Sequence, residues 1–344
     1  MTQAEAQQRA APEAPPRPWL PTLIARLPDE LGVVIALGAL IALIGSLHPN
    51  FLEPFNLLQL VSSAAFFGMI ALGMVFLLAL GEIDLSIGWN FNFSAVIAAK
   101  AMTAGVDPWL AAGIGVLFGA GLGLVNGVLA IGLGLPVIII TLGTFSMFQG
   151  LALVVNESQA VVPEDTEGSF FTFASTKFFD NVIPVVALVF AVLAIVLHVV
   201  LHRTRFGYRV QAIGSNPEAA RLTGIPIAWT KIQALVMLGA ICGLSGALFV
   251  GFRGAIDPQT GGTFMLTVIA AAIIGGTPLS GGSGTVIGAL LGALIIATIS
   301  SGIIFFGIEA TWSTFVTGAV IVIAVALDQL IRRQRLRRAQ GGGV

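Results

Sequence analysis

Residues 57–80 read LLQLVSSAAFFGMIALGMVFLLAL, 24 positions without a charge. About 20 mostly apolar residues are what an α-helix needs to cross the hydrocarbon of a bilayer. The run shows no period-two alternation, so it reads as a spanning helix and not as a strand of an outer-membrane barrel. Immediately after it come Gly81-Glu82-Ile83-Asp84-Leu85-Ser86-Ile87-Gly88, two carboxylates in a glycine-flanked break.

The rest of the 344-residue chain is built the same way. Apolar stretches at 31–47, 57–80, 87–105, 109–132, 136–155, 182–201, 231–252, 263–278, 284–306 and 311–330 predict ten spans. Those at 87–105 and 263–278 are short or glycine-rich, which predicts bent or broken helices. Hydrophobic residues make up 56% of the chain and charged residues 10%. Adding the 42 glycines brings the apolar share to about two thirds, against roughly 45–50% in soluble domains. Such a surface cannot be hidden from water by folding alone, and the mean hydropathy of +0.97 agrees. This excludes a soluble enzyme and a disordered chain. A net charge of −1 offers no patch for nucleic acid, and the lone Cys242 allows no internal disulfide and no cysteine-based metal site.

Charge sets orientation. Residues 202–231 hold Arg203, Arg205, Arg209, Arg221 and Lys231 against Glu218, and the tail holds Arg332, Arg333, Arg335, Arg337 and Arg338. Basic loops stay in the cytoplasm. Residues 156–181 hold Glu157, Glu164, Asp165, Glu167 and Asp180 against Lys177 and are expected outside. The expected fold is therefore an all-α polytopic membrane bundle of about ten transmembrane helices, with both termini cytoplasmic. Its parts are a flexible Ala/Pro-rich tail at 1–26, a transmembrane domain at 27–331 with loops at 156–181 and 202–230, and a basic tail at 332–344. Residues 1–26 have no apolar core followed by a small-residue cleavage site, so they do not read as a signal peptide.

Four-residue glycine spacings, Gly119/Gly123/Gly127, Gly239/Gly243 and Gly284/Gly288/Gly292, place small residues on one helix face and allow close approach. They serve tight packing, or smooth faces that slide. Gly81-x-x-x-Leu85-Ser86-x-Gly88 is echoed by Gly275-x-x-x-Leu279-Ser280-x-Gly282, a candidate internal repeat.

In the basic loop, Asn216 is placed as an N-cap, Pro217 at the first helical position and Glu218 at the positive helix end. Gly224 suits a left-handed C-terminal cap and Pro226 stops continuation. This predicts a short helix of about two turns, either a capped connector on the membrane surface or a docking element.

Glu218-Ala219-Ala220-x-x-x-Gly224 resembles the EAA-type loop of ATP-binding-cassette importer permeases. The ribose/xylose/arabinose permease group is resembled by Arg205-Phe206-Gly207, Ala212-Ile213-Gly214-Ser215-Asn216, Gly81 through Gly88, Thr141-Leu142-Gly143-Thr144 and Ile274-Gly275-Gly276. The likeness covers roughly 55–330. Glu82 departs from it, standing where the group has glycine. The resemblance implies a permease subunit carrying a monosaccharide or related polar solute across the inner membrane of a bacterium. It implies a coupling helix made of Asn216, Pro217, Glu218, Ala219, Ala220, Arg221 and Gly224, supported by Arg205, Phe206 and Gly207. It also implies a homodimer, a separate ATPase that carries ATP and Mg, and a periplasmic or extracellular substrate-binding protein.

Carboxylates, amides and hydroxyls suit sugar hydroxyls. Candidate pathway residues are therefore Glu82, Asp84, Ser86, Asn90, Asn92, Asn126, Thr141 and Thr144, with Phe66, Phe67, Trp89, Phe145 and Phe148 as apolar faces. Each polar residue also has a plain reading as a wet boundary turn or as helix–helix glue. The chain has no Gly-Lys pair and hence no phosphate-binding Walker loop. His48, His198 and His202 fall at span boundaries and form no catalytic set with serine and aspartate. No catalytic, cofactor or metal site is expected in the chain itself. Competing readings are an ion-coupled transporter using Glu82 and Asp84, and an importer of a polyol, nucleoside or signal molecule.

Overall fold

The computed structural model describes residues 30–164, 166–178 and 183–309, with scattered positions from 312 to 326. The stretch at 311–330 lies mostly outside the described residues. The tails 1–26 and 332–344 lie wholly outside them, with Asp165 and Asp180.

The described chain is nearly all helix: α1 (Glu30–Leu47), α2 (Pro54–Ala79), α3 (Ile87–Thr103), α4 (Pro108–Leu133), α5 (Val137–Val155), α6 (Ser169–Ser175), α7 (Val185–Arg203), α8 (Arg205–Ser215), α9 (Pro217–Leu222), α10 (Ile227–Arg253), α11 (Thr260–Ile274) and α12 (Val286–Phe305). Strands β1 (Lys177–Phe178) and β2 (Ile183–Pro184) form a small antiparallel pair. Among the described residues seven helices, α1, α2, α4, α5, α7, α10 and α12, are long and apolar enough to cross a membrane. The two stretches flagged as short are short: α3 has 17 residues and α11 has 15.

α2 is the centre of the bundle, buried continuously from Ala64 to Leu80 and packed by α7, α10, α11 and α12. The outer helices α4, α5 and α7 turn Leu117, Ile139, Val154 and Ile195 outward, apolar faces of the kind a bilayer covers.

Glycine brings backbones together in the interior. A methyl group on Gly119 of α4 would meet the carbonyl oxygen of Gly239 of α10 at 2.3 Å, and one on Gly239 would meet that of Gly119 at 2.2 Å. A methyl on Gly243 would likewise meet Gly115 O at 2.3 Å, and one on Gly123 would meet Leu235 O at 2.2 Å. Gly284, which the sequence places on a helical ladder with Gly288 and Gly292, instead precedes α12, because Thr285 caps that helix by accepting from the Gly288 N–H.

α2 ends in a Schellman turn. Gly81 adopts φ 75°, its N–H bonds Leu78 O at 2.8 Å, and the Glu82 N–H bonds Leu77 O at 2.9 Å. Residues 82–86 then run as irregular backbone before α3 starts, so the break predicted at 87–105 falls just before it. The loop at 156–181 also holds more structure than a bare connector. α6 buries Phe170 and Phe171 against α10, and Val161 makes a bridge with Ile256. Those aromatics anchor it to α10.

Candidate functional site

The capped helix expected after Asn216 is present as α9. The Asn216 side chain accepts from the Ala219 N–H at 3.0 Å, with Pro217 at the first position. At the other end Gly224 has φ 78°, its N–H bonds Arg221 O and the Ile225 N–H bonds Ala220 O, each at 3.1 Å. Both termini are thus satisfied without outside help. Ala220 faces inward, while Leu222 is 85% exposed. A cavity of about 370 Å³ opens beside Glu218, Arg221, Leu222 and Ile227.

α8 was not anticipated. Its Thr204 cap accepts from the Gly207 N–H, and Val210 and Ile213 are buried one turn apart, a local pattern that the sequence does carry. Phe206 stacks on Phe76 of α2, with ring centroids 5.9 Å apart and planes at 15°. Gly207 is required because a methyl there would come within 2.1 Å of Leu201 O. At the far end of α8 a methyl on Gly214 would fall 1.8 Å from Ala79 O and 2.6 Å from Gly282 N. The Gly282 N–H itself donates to Ala79 O at 2.9 Å, and Ser215 Oγ donates to Gly282 O at 3.3 Å. One knuckle therefore joins the base of α9, the end of α2 and the turn at 281–282. The two echoing turns of the candidate repeat also meet there, since a methyl on Gly281 would come within 2.9 Å of Gly81 N.

Above the knuckle stand the polar residues singled out by sequence. Glu82 forms an ion pair with Lys231 of α10, a residue that sequence reading counts only toward orientation. Asp84 is 2% exposed. Its Oδ1 accepts from the Ser86 N–H at 2.7 Å and the Ser86 hydroxyl at 2.6 Å, and Asn126 Nδ2 reaches its Oδ2 at 3.4 Å and Ser86 Oγ at 2.8 Å. Lying just ahead of α3, the carboxylate also meets the positive end of that helix. Thr141 Oγ1 accepts from the Leu85 N–H at 3.1 Å, so α5 satisfies the irregular backbone while Asn126 of α4 holds its side chains. Asp84, Ser86, Asn126 and Thr141 thus form one cluster. Asn90 stands apart, donating to Gly119 O and accepting from Ser94, and Asn92 donates to Asp257 O. Thr144 Oγ1, Asn92 Oδ1 and Asn126 Oδ1 are buried without a hydrogen-bond partner among the described residues. All of these except Glu82 are buried within a single chain.

The family described as "Branched-chain amino acid transport system / permease component" matches residues 56–325. The chain is 37% identical over 301 residues to the ribose import permease protein of Bacillus subtilis, covering 88% of this chain and 93% of that one. It is 36% identical over 310 residues to the D-allose transport system permease protein of Escherichia coli, covering 89% and 93%. It is 33% identical over 339 residues to the L-arabinose ABC transporter permease protein of Azospirillum brasilense, covering 97% and 98%.

Proposed function

The chain belongs to the family of branched-chain amino acid transport system permease components, and from that premise we propose that it is the membrane subunit of an ATP-driven importer of a monosaccharide. It is a multi-pass membrane permease. The sugar cargoes named for its relatives support a sugar here. Two copies enclose the path in a bacterial inner membrane, a separate ATPase holds ATP and Mg on the cytoplasmic side, and a binding protein delivers solute outside. The basic residues flanking α8 and α9 support placing that end, and both chain termini, in the cytoplasm.

The observation that carries this reading is the mounting of α9. It is capped at both ends, shows Leu222 to solvent, and joins α2 and the 281–282 turn through Gly214. An exposed leucine on a rigid, charged turn suits a groove in a partner protein. Residues Asn216 to Arg221 with Gly224 form the coupling helix, and Arg205, Phe206 and Gly207 fix α8 beneath it. Closure of the ATPase pushes α9, and the knuckle passes that push to α2 and α12, biasing one packing of the bundle over another. Asp84, Ser86, Asn126 and Thr141 brace the broken helix, while Asn90 and Asn92 tie α3 to Gly119 and Asp257 and Thr144 stands further along α5. Against ion coupling, Glu82 is engaged by Lys231, and Asp84 by Ser86 and Asn126.

The test is the double variant Glu218→Arg with Gly224→Trp. Membrane insertion should be normal, while co-purifying ATPase and solute uptake are both lost. Uptake at the unaltered level would sink the reading.

A further inference from the structure

On its face toward α12, the end of α2 remote from the knuckle carries a row of polar side chains, of which Gln59 and Ser63 have no hydrogen-bond partner among the described residues. Asn56, Gln59 and Ser63 recur at helical spacing, with Phe67 one turn further in. Facing them on α12 are Ser300 and Ser301. Together they line a cavity of about 300 Å³, at the lower limit of the roughly 300–1,000 Å³ typical of small-molecule sites. Gln59 and Ser63 are exposed although they lie in a helix fit to span a bilayer. At 1.5 Å per residue they sit roughly 8 and 14 Å from the start of a helix about 39 Å long, which puts Gln59 at the edge of a hydrocarbon core about 30 Å thick and Ser63 within it.

The hydroxyls show how unusual this face is. Ser62, one residue away, bonds back to Leu58 O at 2.8 Å in the way a serine on a spanning helix satisfies itself. Ser63 and Ser300 make no hydrogen bond among the described residues, and neither does the Gln59 amide. Asn56 spends its Nδ2 on Phe51 O at 2.8 Å and accepts from Ser301 Oγ at 3.4 Å, bridging the two helices. Amides and hydroxyls left idle in hydrocarbon are costly, so water or a polar solute meets them.

We propose that this cleft, between the ends of α2 and α12 farthest from α9, is the solute-binding segment of the translocation path, and that it takes a neutral polyhydroxylated molecule. The inference rests on the permease reading above and adds the side chains that touch cargo. No charged residue among the described ones lines the cleft, so a zwitterionic amino acid finds no partner for its ammonium or carboxylate among them. A sugar ring, with donors and acceptors around its rim and C–H faces for Phe67, finds both.

The experiment uses the assembled transporter in proteoliposomes with D-ribose, L-arabinose and L-leucine as probes. Gln59→Leu combined with Ser300→Ala should lower sugar uptake about tenfold or more through lost hydrogen bonds, with ATPase still co-purifying. Because Cys242 is buried, Ser63→Cys supplies the reactive thiol. It should be labelled by a membrane-impermeant reagent from the side opposite the ATPase, and D-ribose or L-arabinose, but not L-leucine, should slow the labelling. Wild-type sugar uptake in the double variant, a Ser63→Cys thiol closed to the reagent because lipid, the 311–330 segment or a second copy covers it, or protection by L-leucine equal to that by sugar would each overturn the inference. A wild-type transporter that carries L-leucine in place of either sugar overturns the proposed function instead, and labelling of Ser63→Cys still decides whether the cleft is an aqueous path.

Discussion

Gly214 lies against the carbonyl oxygen of Ala79 so closely that a methyl group added to it would stand 1.8 Å away. No side chain mediates between the element that carries α9 and the end of the central helix; backbone presses on backbone. A contact of this kind has no rotamers to absorb displacement, so movement of one partner is movement of the other.

Gly214→Ala should therefore act out of proportion to its size. The methyl cannot be placed without shifting Ala79 or Gly282, a strain typically of about 1–3 kcal/mol. α9 keeps both of its caps in this variant, so ATPase should still co-purify, while uptake falls sharply. ATP hydrolysis and uptake measured on the same preparation check this.

The Glu82–Lys231 pair ties the break after α2 to the start of α10. Both side chains are mostly covered, 13% and 24% exposed. Lys231→Glu alone places two carboxylates together and should reduce uptake and thermal stability in detergent. Adding Glu82→Lys restores an opposite-charge pair and should recover most of both. With a partly exposed pair, the interaction measured by the full mutant cycle should be about 1 kcal/mol.

Asp84 separates shape from charge. Asp84→Ala strands the Ser86 N–H and hydroxyl in the interior, at a cost of about 1–3 kcal/mol, and should lower both yield and melting temperature. Asp84→Asn retains an oxygen for the Ser86 N–H and should stay much closer to wild type. Equal damage from both would mean that the charge itself is required.

Two glycines on α4 make a controlled comparison. Gly119→Ala drives a methyl to 2.3 Å from Gly239 O and should yield little folded protein. Gly121→Ala, two residues away, meets nothing within 4 Å. It should be neutral or raise the melting temperature slightly, since alanine favours helix by about 1 kcal/mol over glycine. Size-exclusion profiles of the two variants decide the matter.

What could be read ahead of the structure divides by range. α9 was legible because its caps are local: Asn216, Pro217 and Gly224 specify both ends within nine residues. The helical stretches were legible because apolar length is a property of one segment, and seven of them are helices long enough to span. α8 is harder to read: Phe206, Val210 and Ile213 have helical spacing, but eleven residues are too few to span a bilayer, and the partners that bury them lie on α2, α7 and α10. The cluster at Asp84 was out of reach for another reason. Its backbone is met by Thr141 and its side chains by Asn126, on two other helices, and nothing near residue 84 points to them. Gln59 and Ser63 stood in plain view within the 57–80 stretch, yet which face of α2 they occupy depends on where α12 packs.

The reciprocal glycine contact between α4 and α10 also bears on assembly in the cell. Gly119 leaves the ribosome about 120 residues ahead of Gly239, a lag of roughly 6–24 s at ordinary rates of synthesis. Until then the groove along α4 has no helix to receive and faces lipid or the insertion machinery. The chain must therefore be threaded through the membrane first and zipped together afterwards. A truncation ending before α10 should insert yet remain open along that seam, a ready substrate for membrane proteases.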